Sequence, residues 1–133
     1  MDPIEDPIEA LDFSKANGLV TAIAIDDATD EVLMVAFMNP ESFRQTLSRG
    51  EVVYWSRSRN KLWHKGEESG NTQKVKSLYI DCDGDVVVVR VEQRGGAACH
   101  TGRRSCFFRK LQDDGTWKDV GVQVFDPKEV YGK

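Results

Sequence analysis

The stretch KVKSLYIDCDGDVVVVRVEQ, Lys74 to Gln93, sets the architecture. Both flanks are rich in β-branched and apolar residues, and Asp83-Gly84 between them is a strong hairpin-turn signal, because glycine tolerates the positive φ that tight turns demand. Two antiparallel strands joined at CDGD follow. In extended chain, successive side chains point to opposite faces, so Asp81 and Asp83, with Asp85 beyond Gly84, face one way and Cys82 the other. Hard carboxylate oxygens suit magnesium and soft sulfur suits zinc, so one short turn offers ligands for two neighbouring ions. Asp and Gly are also what any hairpin turn prefers, which leaves a purely structural reading open. Asp81, Asp83, Asp85 and Glu92 imitate positions of a calcium-binding EF-hand loop, but Val86 stands where that loop needs glycine.

Upstream of the hairpin, Asn17-Gly18 marks a turn, and LVTAIAID and EVLMVAFM, separated by a polar DATD break, read as two paired strands. Asn39 as N-cap, Pro40 at the first helical position and Gly50 after ESFRQTLSR delimit a short helix. EVVYWS resumes strand character. The polar run from Arg57 to Thr72 has glycines and few aliphatics and reads mainly as loop; loops of that length are usually functional or disordered. Downstream lie the loop GGAACHTGRRSC, a strand at CFFRKL, a turn at Asp113 to Gly115 and a last helix near DPKEVY. The expected fold is α+β: a single domain with a mostly antiparallel β-sheet and few short helices. An acidic N-terminal arm, residues 1–17, precedes the domain proper, residues 18–133. The doubled DPIE in the arm is too short to signal a repeat architecture.

With 133 residues, 40% of them hydrophobic and 30% charged, the composition is that of a soluble globular protein. The N-terminus is acidic and lacks an apolar run, and VVVV at Val86 to Val89 is too short to span a bilayer, so a cytoplasmic location is expected. Three cysteines cannot all pair within one chain, and a reducing cytoplasm disfavours disulfides, which leaves buried thiols or metal ligands. Net charge is −4, yet ten of the eighteen Lys and Arg residues fall in two windows, Arg57 to Lys65 and Arg90 to Lys110. Clustered cations on an acidic chain point to a small anionic ligand such as phosphate, rather than to nucleic acid or membrane.

Cys99 and Cys106 are seven residues apart and Cys82 comes from the hairpin, so the spacing is not that of a zinc ribbon or knuckle. Three sulfur ligands without an obvious fourth match a catalytic zinc with an open position; three unrelated buried thiols fit the spacing equally well. His100 adjoins Cys99, where it can move a proton to or from water. Trp55 and Trp63 flank SRSRNK, so they can stack on a base while Arg57, Arg59 or Lys65 holds phosphate.

Taken in order, YWSRSRNKLWHKGEESGNTQKVKSLYIDCDGD and VEQRGGAACHTGRRSCFFR closely resemble the phosphoribosyl-AMP cyclohydrolase family of histidine biosynthesis, over about Gly18 to Arg109. The resemblance implies hydrolytic opening of an adenine ring between N1 and C6, zinc on Cys82, Cys99 and Cys106, and magnesium on Asp81, Asp83 and Asp85. It also implies an intertwined homodimer with sites near the interface, so the cysteines need not all come from one chain. Three thiolates on one divalent zinc leave a formal charge of −1 and a weak Lewis acid, so a substrate alkylated at N1 must bring its own electrophilicity to C6. Arg103 or Arg104 is then placed to contact a phosphate, and His100 to handle protons. Two other readings compete: a non-catalytic zinc module binding nucleotides or RNA, and a different zinc hydrolase of purine rings. The acidic charge and the lack of paired C-x-x-C motifs weigh against the first. Glu68 stands where the family pattern leads us to expect a small hydroxyl residue, and the acidic arm lies outside the match.

Overall fold

The computed structural model describes residues 6–126. The hairpin forms as its sequence requires: β5 (Gln73–Ile80) and β6 (Val86–Gln93) pair antiparallel, with a bulge between Val75 and Ser77. Along β6 every second residue, Val87, Val89 and Val91, is buried. That strand pairs on its other side with β1 (Val20–Asp26), and this pairing is parallel, from Thr21 opposite Val86 to Asp26 opposite Val91. β1 continues antiparallel to β2 (Val32–Met38), β2 to β3 (Val53–Ser56) and β3 to β4 (Lys61–His64), giving the order β4-β3-β2-β1-β6-β5. The fold is therefore α+β with a mostly antiparallel sheet, as the sequence predicts, and one parallel pair, β1 with β6, within it.

The sheet curls on itself. Val52, just ahead of β3, donates to the Gln73 carbonyl (2.9 Å) and accepts from the Lys65 amide (3.2 Å), while the Val75 amide donates to Gly50 (2.8 Å). Edge strand β5 thus meets the chain that enters β3, and its exposed backbone groups find partners. Inside the curl lie Val20, Leu33, Met38, Tyr54, Val89 and Ala98 among others, all nearly free of solvent contact.

The helix α1 (Pro40–Arg49) closes one side. Asn39 accepts from the Ser42 amide (2.8 Å), Ser42 Oγ accepts from the Asn39 amide (2.9 Å), and Gly50 adopts a left-handed φ of 71° that stops the helix. Its inward face is unusually polar: Ser42 and Thr46 are buried beside Phe43. Thr46 explains this, since its Oγ1 accepts from the Val53 amide (3.0 Å) and donates toward Ser42 O (2.8 Å) and Val53 O (3.1 Å), tying the helix to the start of β3.

Two expectations are modified and a third falls outside the described residues. The run from Arg57 to Thr72 is not all loop, because Lys61–His64 forms β4, with Trp63 opposite Tyr54 across the pair. At four residues, Lys-Leu-Trp-His with alternately exposed and half-buried positions, it is too short and mixed for a pattern search to find. The strand expected at CFFRKL begins only at Arg109, as β7 (Arg109–Leu111), paired with β8 (Trp117–Asp119). The Cys106 amide is engaged by Leu33 O (2.7 Å) and the Phe107 amide by Ser105 Oγ (2.9 Å), so those residues belong to the loop bound on β2. The helix expected near DPKEVY lies outside the described residues beyond Asp126.

Residues ahead of β1 lie on the domain: Asp6 caps a single 3-10 turn (Pro7–Ala10), and Ile8, Leu11 and Phe13 pack on the core. Among the described residues no helix is long and apolar enough to cross a membrane.

Thr46→Val keeps the side-chain volume but strips Val53 of its partner. Urea unfolding should show a loss of about 1–3 kcal/mol, the penalty for an unsatisfied buried backbone group.

Candidate functional site

Strand β6 separates two ligand clusters. At its start, the carboxylates of Asp81, Asp83 and Asp85 come within 4.8 Å of one another. Local geometry assembles them: Asp81 Oδ1 accepts from the amides of Asp85 (3.0 Å) and Val86 (3.2 Å), and Gly84 turns the chain at a φ of 78°. A side chain at Gly84 is excluded twice over, because a Cβ there would also meet Ala10 O at 2.6 Å. The N-terminal segment lies across the turn, with the Asp12 amide donating to Gly84 O (2.7 Å).

Lys15 reaches from that segment into the cluster, its Nζ 3.0 Å from Asp83 and 3.6 Å from Asp85. The hydrogen bond from Lys15, more than any other contact, holds the Asp83 carboxyl at about 2. Asp85 moves the other way, raised by desolvation and then by its neighbour Asp83. Oxygen donors this close, with an ammonium already seated among them, fit a hard divalent cation.

The second cluster follows the other end of β6. The loop from Gly95 to Cys106 is folded on itself, with the amides of Ala98 and Cys99 donating to Arg104 O (3.0 Å) and Arg103 O (3.1 Å). Cys99 is only 6% exposed, and Thr101 Oγ1 lies 3.0 Å from its Sγ. Cys106 is exposed as a residue, yet its sulfur faces a crowded site: desolvation, then the neighbouring Cys99, pushes its thiol up to about 12. Two further groups face this sulfur. Tyr54 is fully buried, and its phenol is raised by desolvation and then by Cys106. Lys65 is 5% exposed; burial lowers its ammonium, and Cys106 and Cys99 act in the opposite sense.

The eight residues of β6, roughly 25 Å of strand at the usual rise, lie in the chain between the two clusters. Cys82 goes with the aspartates, and among the described residues the three cysteines do not converge. One chain thus supplies a carboxylate-and-thiol turn at one end and a pair of thiols at the other. The paired sulfurs fit a soft ion that takes its remaining donors from elsewhere.

A third feature is an open concavity of about 590 Å³ lined by Phe37, Trp55, Ser56, Arg57, Ser58 and Trp63, with Val35 and Ala36. Here the structure joins Trp55, Trp63 and Arg57, three residues singled out from sequence. The Arg57 guanidinium lies 3.9 Å from the centre of the Phe37 ring. Arg59 is exposed on the turn between β3 and β4, whereas Lys65 follows the opposite end of β4. Arg103 is bound to Asp119 (2.5 Å), and Arg104 to Glu31 (3.0 Å) and Asp26 (3.4 Å). His100 is exposed in the turn after Cys99.

Several supporting residues escape a reading of the sequence. Tyr54 Oη donates to Gln73 Oε1 (2.6 Å), Gln73 Nε2 to Gln93 Oε1 (2.9 Å) and Gln93 Nε2 to Asn71 O (2.9 Å), a buried chain that links β3, β5 and β6 to the loop carrying Lys65. Asn71 is wedged so tightly that a Cβ on either Gly66 or Gly95 would collide with it. Gly66 and Gly70 ahead of Asn71 mark a turn, but nothing local in the sequence points to the clamp by Gly95, or to Lys15.

Known proteins resemble this chain over most of its length. The family model for phosphoribosyl-AMP cyclohydrolase matches residues 34–108, which include all three cysteines and all three aspartates. The chain is 58% identical over 115 residues to the phosphoribosyl-AMP cyclohydrolase of Azoarcus sp. (strain BH72), covering 86% of this chain and 88% of that protein. It is 58% identical over 123 residues to the enzyme of the same name from Desulfatibacillum aliphaticivorans, covering 92% and 98%. A third relative, from Nitrosomonas europaea, is 54% identical over 118 residues, covering 89% and 91%.

Since Lys15 competes for the carboxylates, Lys15→Met should tighten binding of Mn²⁺, used as a paramagnetic probe for hard cations. The gain should be about two- to five-fold, the worth of an exposed ion pair, read by electron paramagnetic resonance titration.

Proposed function

The chain belongs to the phosphoribosyl-AMP cyclohydrolase family, and on that premise we propose that it hydrolyses the N1–C6 bond of the adenine ring in 1-(5-phosphoribosyl)-AMP, within histidine biosynthesis. The observation that carries the detail is the split donor set: Cys99 and Cys106 at one end of β6, Cys82 with three aspartates at the other. A homodimer in the cytoplasm resolves it. Two copies related by a twofold axis can lay the turn of one against the thiol pair of the other, and a twofold makes two such sites.

Zinc held by Cys99, Cys106 and Cys82 of the partner subunit would supply Lewis-acid activation of water near neutral pH, and magnesium held by Asp81, Asp83 and Asp85 would supply electrostatic anchoring for phosphate. The remaining roles fall to side chains of this chain. Trp55 and Trp63 offer flat apolar surface for the purine, and Arg57 and Arg59, which have no carboxylate partner among the described residues, take a phosphate. A phosphate would reach Arg103 or Arg104 only by drawing them from Asp119, or from Asp26 and Glu31.

In the reaction, the oxygen of water adds to C6, the C6–N1 bond breaks and N1 gains a proton. The product keeps C6 as a carboxamide and N1 in a formimino link to C2. His100, exposed beside Cys99, is the group we assign to that proton transfer. Alkylation at N1 makes C6 electrophilic before the enzyme acts, which suits a metal already burdened with anionic sulfur.

Two measurements check this reading. A spectrophotometric assay should show ring opening of phosphoribosyl-AMP and none of AMP, which lacks the N1 substituent; comparable rates on both would refute the activation argument. Cys82→Ser and Cys106→Ser should each be inactive alone, while refolding them together should restore about a quarter of wild-type activity, since half the dimers then carry one intact site out of two.

A further inference from the structure

Two elements hold the loop from Gly95 to Cys106. The first is β2: the Cys106 amide donates to Leu33 O (2.7 Å) and Ser105 Oγ to Val32 O (2.7 Å), which fastens the end of the loop to the sheet. The second is the chain that leaves β8. Residues 120–125 form no strand of their own beyond a single antiparallel bridge between Gln123 and Arg103, and they lie past the residues that the family model matches. Yet the Arg104 amide donates to Val122 O (2.9 Å), and the amides of Val124 and Phe125 donate to Gly102 O (2.7 and 3.3 Å). The approach is so close that a Cβ on Gly102 would fall 1.9 Å from Phe125 O and 2.7 Å from Gln123 Nε2.

One side chain completes this contact. Gln123 Nε2 donates to Thr101 O (2.8 Å) and to Phe125 O (2.6 Å), so a single amide ties the loop to the segment. The Gly102 amide donates back to Cys99 O (3.0 Å), which makes residues 99–102 a closed turn. His100 sits exposed on that turn, one residue before the carbonyl that Gln123 holds. An exposed side chain on a loop is aimed by the backbone beneath it, and that backbone is only as precise as the hydrogen bonds that support it.

We infer that residues 120–125 are a positioning segment for the turn that carries His100, with Gln123 as its positioning residue. The inference rests on the proton-transfer role proposed for His100 and adds the element that aims it. Glutamine suits the task because its amide has two N–H donors for two carbonyls and brings no charge to a site that handles protons. General acid–base chemistry needs the group within hydrogen-bond reach of the proton it moves, so a loosened turn lowers turnover while substrate still binds.

The test uses the full-length protein. Gln123→Met keeps the reach of the side chain and removes both donors, and Gln123→Lys restores a donor at similar reach. In Gln123→Met the amides of Gly102 and Arg104 should exchange with deuterium about 3- to 10-fold faster than in wild type, as for the loss of hydrogen bonds of this class. The urea midpoint should stay unchanged, because Gln123 is exposed. In ring opening of phosphoribosyl-AMP, kcat should fall about 10-fold, inside the roughly 100-fold that a 1 Å misplacement can cost. KM should not move, since Trp55, Arg57 and Trp63 lie on or beside β3 and β4. Gln123→Lys should recover part of both effects. Unchanged amide exchange in Gln123→Met overturns the proposal. Faster exchange with wild-type kcat overturns it too, as does a loss of kcat that tracks a lowered urea midpoint in both variants. A wild-type protein that opens no ring refutes the proposed reaction itself, whatever the variants do, and the positioning role falls with it.

Discussion

A strand in the middle of a sheet cannot bend back on itself, and β6 is such a strand, paired with β1 along one edge and β5 along the other. Its valines fill the curl of the sheet, so its length and direction are set by the core. Whatever the chain attaches to its two ends is held apart by that length. The aspartate turn precedes it and the cysteine loop follows it, and among the described residues Cys82 does not join Cys99 and Cys106 in one cluster. The two-copy arrangement proposed above starts from this division.

The cysteine end is prepared in depth. Tyr54, Gln73 and Gln93 form a largely buried polar chain of side chains that ends on the Asn71 carbonyl, a condition under which buried polarity rigidifies a core. Asn71 is clamped by Gly66 and Gly95 and so joins the loop carrying Lys65 to the loop carrying Cys99. The two loops are thereby held together at Asn71. Arg103 and Arg104 contribute in another way, tying the same loop to β8 through Asp119 and to the β1–β2 turn through Asp26 and Glu31.

How much of this the sequence discloses depends on the range of the interaction involved. The hairpin at Asp83-Gly84 and the helix between Asn39 and Gly50 are legible because turn and cap chemistry acts over a few residues. The grouping of Asp81, Asp83 and Asp85 follows from strand alternation in the same local way. Strand β4 is obscured because four residues of mixed character, Lys61 to His64, carry no aliphatic run. The parallel pairing of β1 with β6 joins residues some sixty positions apart, as Thr21 and Val86 show, and nothing local encodes it. Lys65 is the sharpest case. As sequence it belongs with Arg57 and Arg59, but the turn of β3 into β4 carries it to the other end of the hairpin and under cover.

The clasp of the N-terminal segment on Gly84 has a practical side. Asp12 and Lys15 rest on the carboxylate turn, so the N-terminal segment and that turn form one surface. A polyhistidine handle fused ahead of Met1 would add chelating imidazoles to a protein that already clusters three oxygen donors. Metal counted on such material would report the handle as well as the protein, so purification handles belong at the carboxyl end or should be cleaved before metal content is measured.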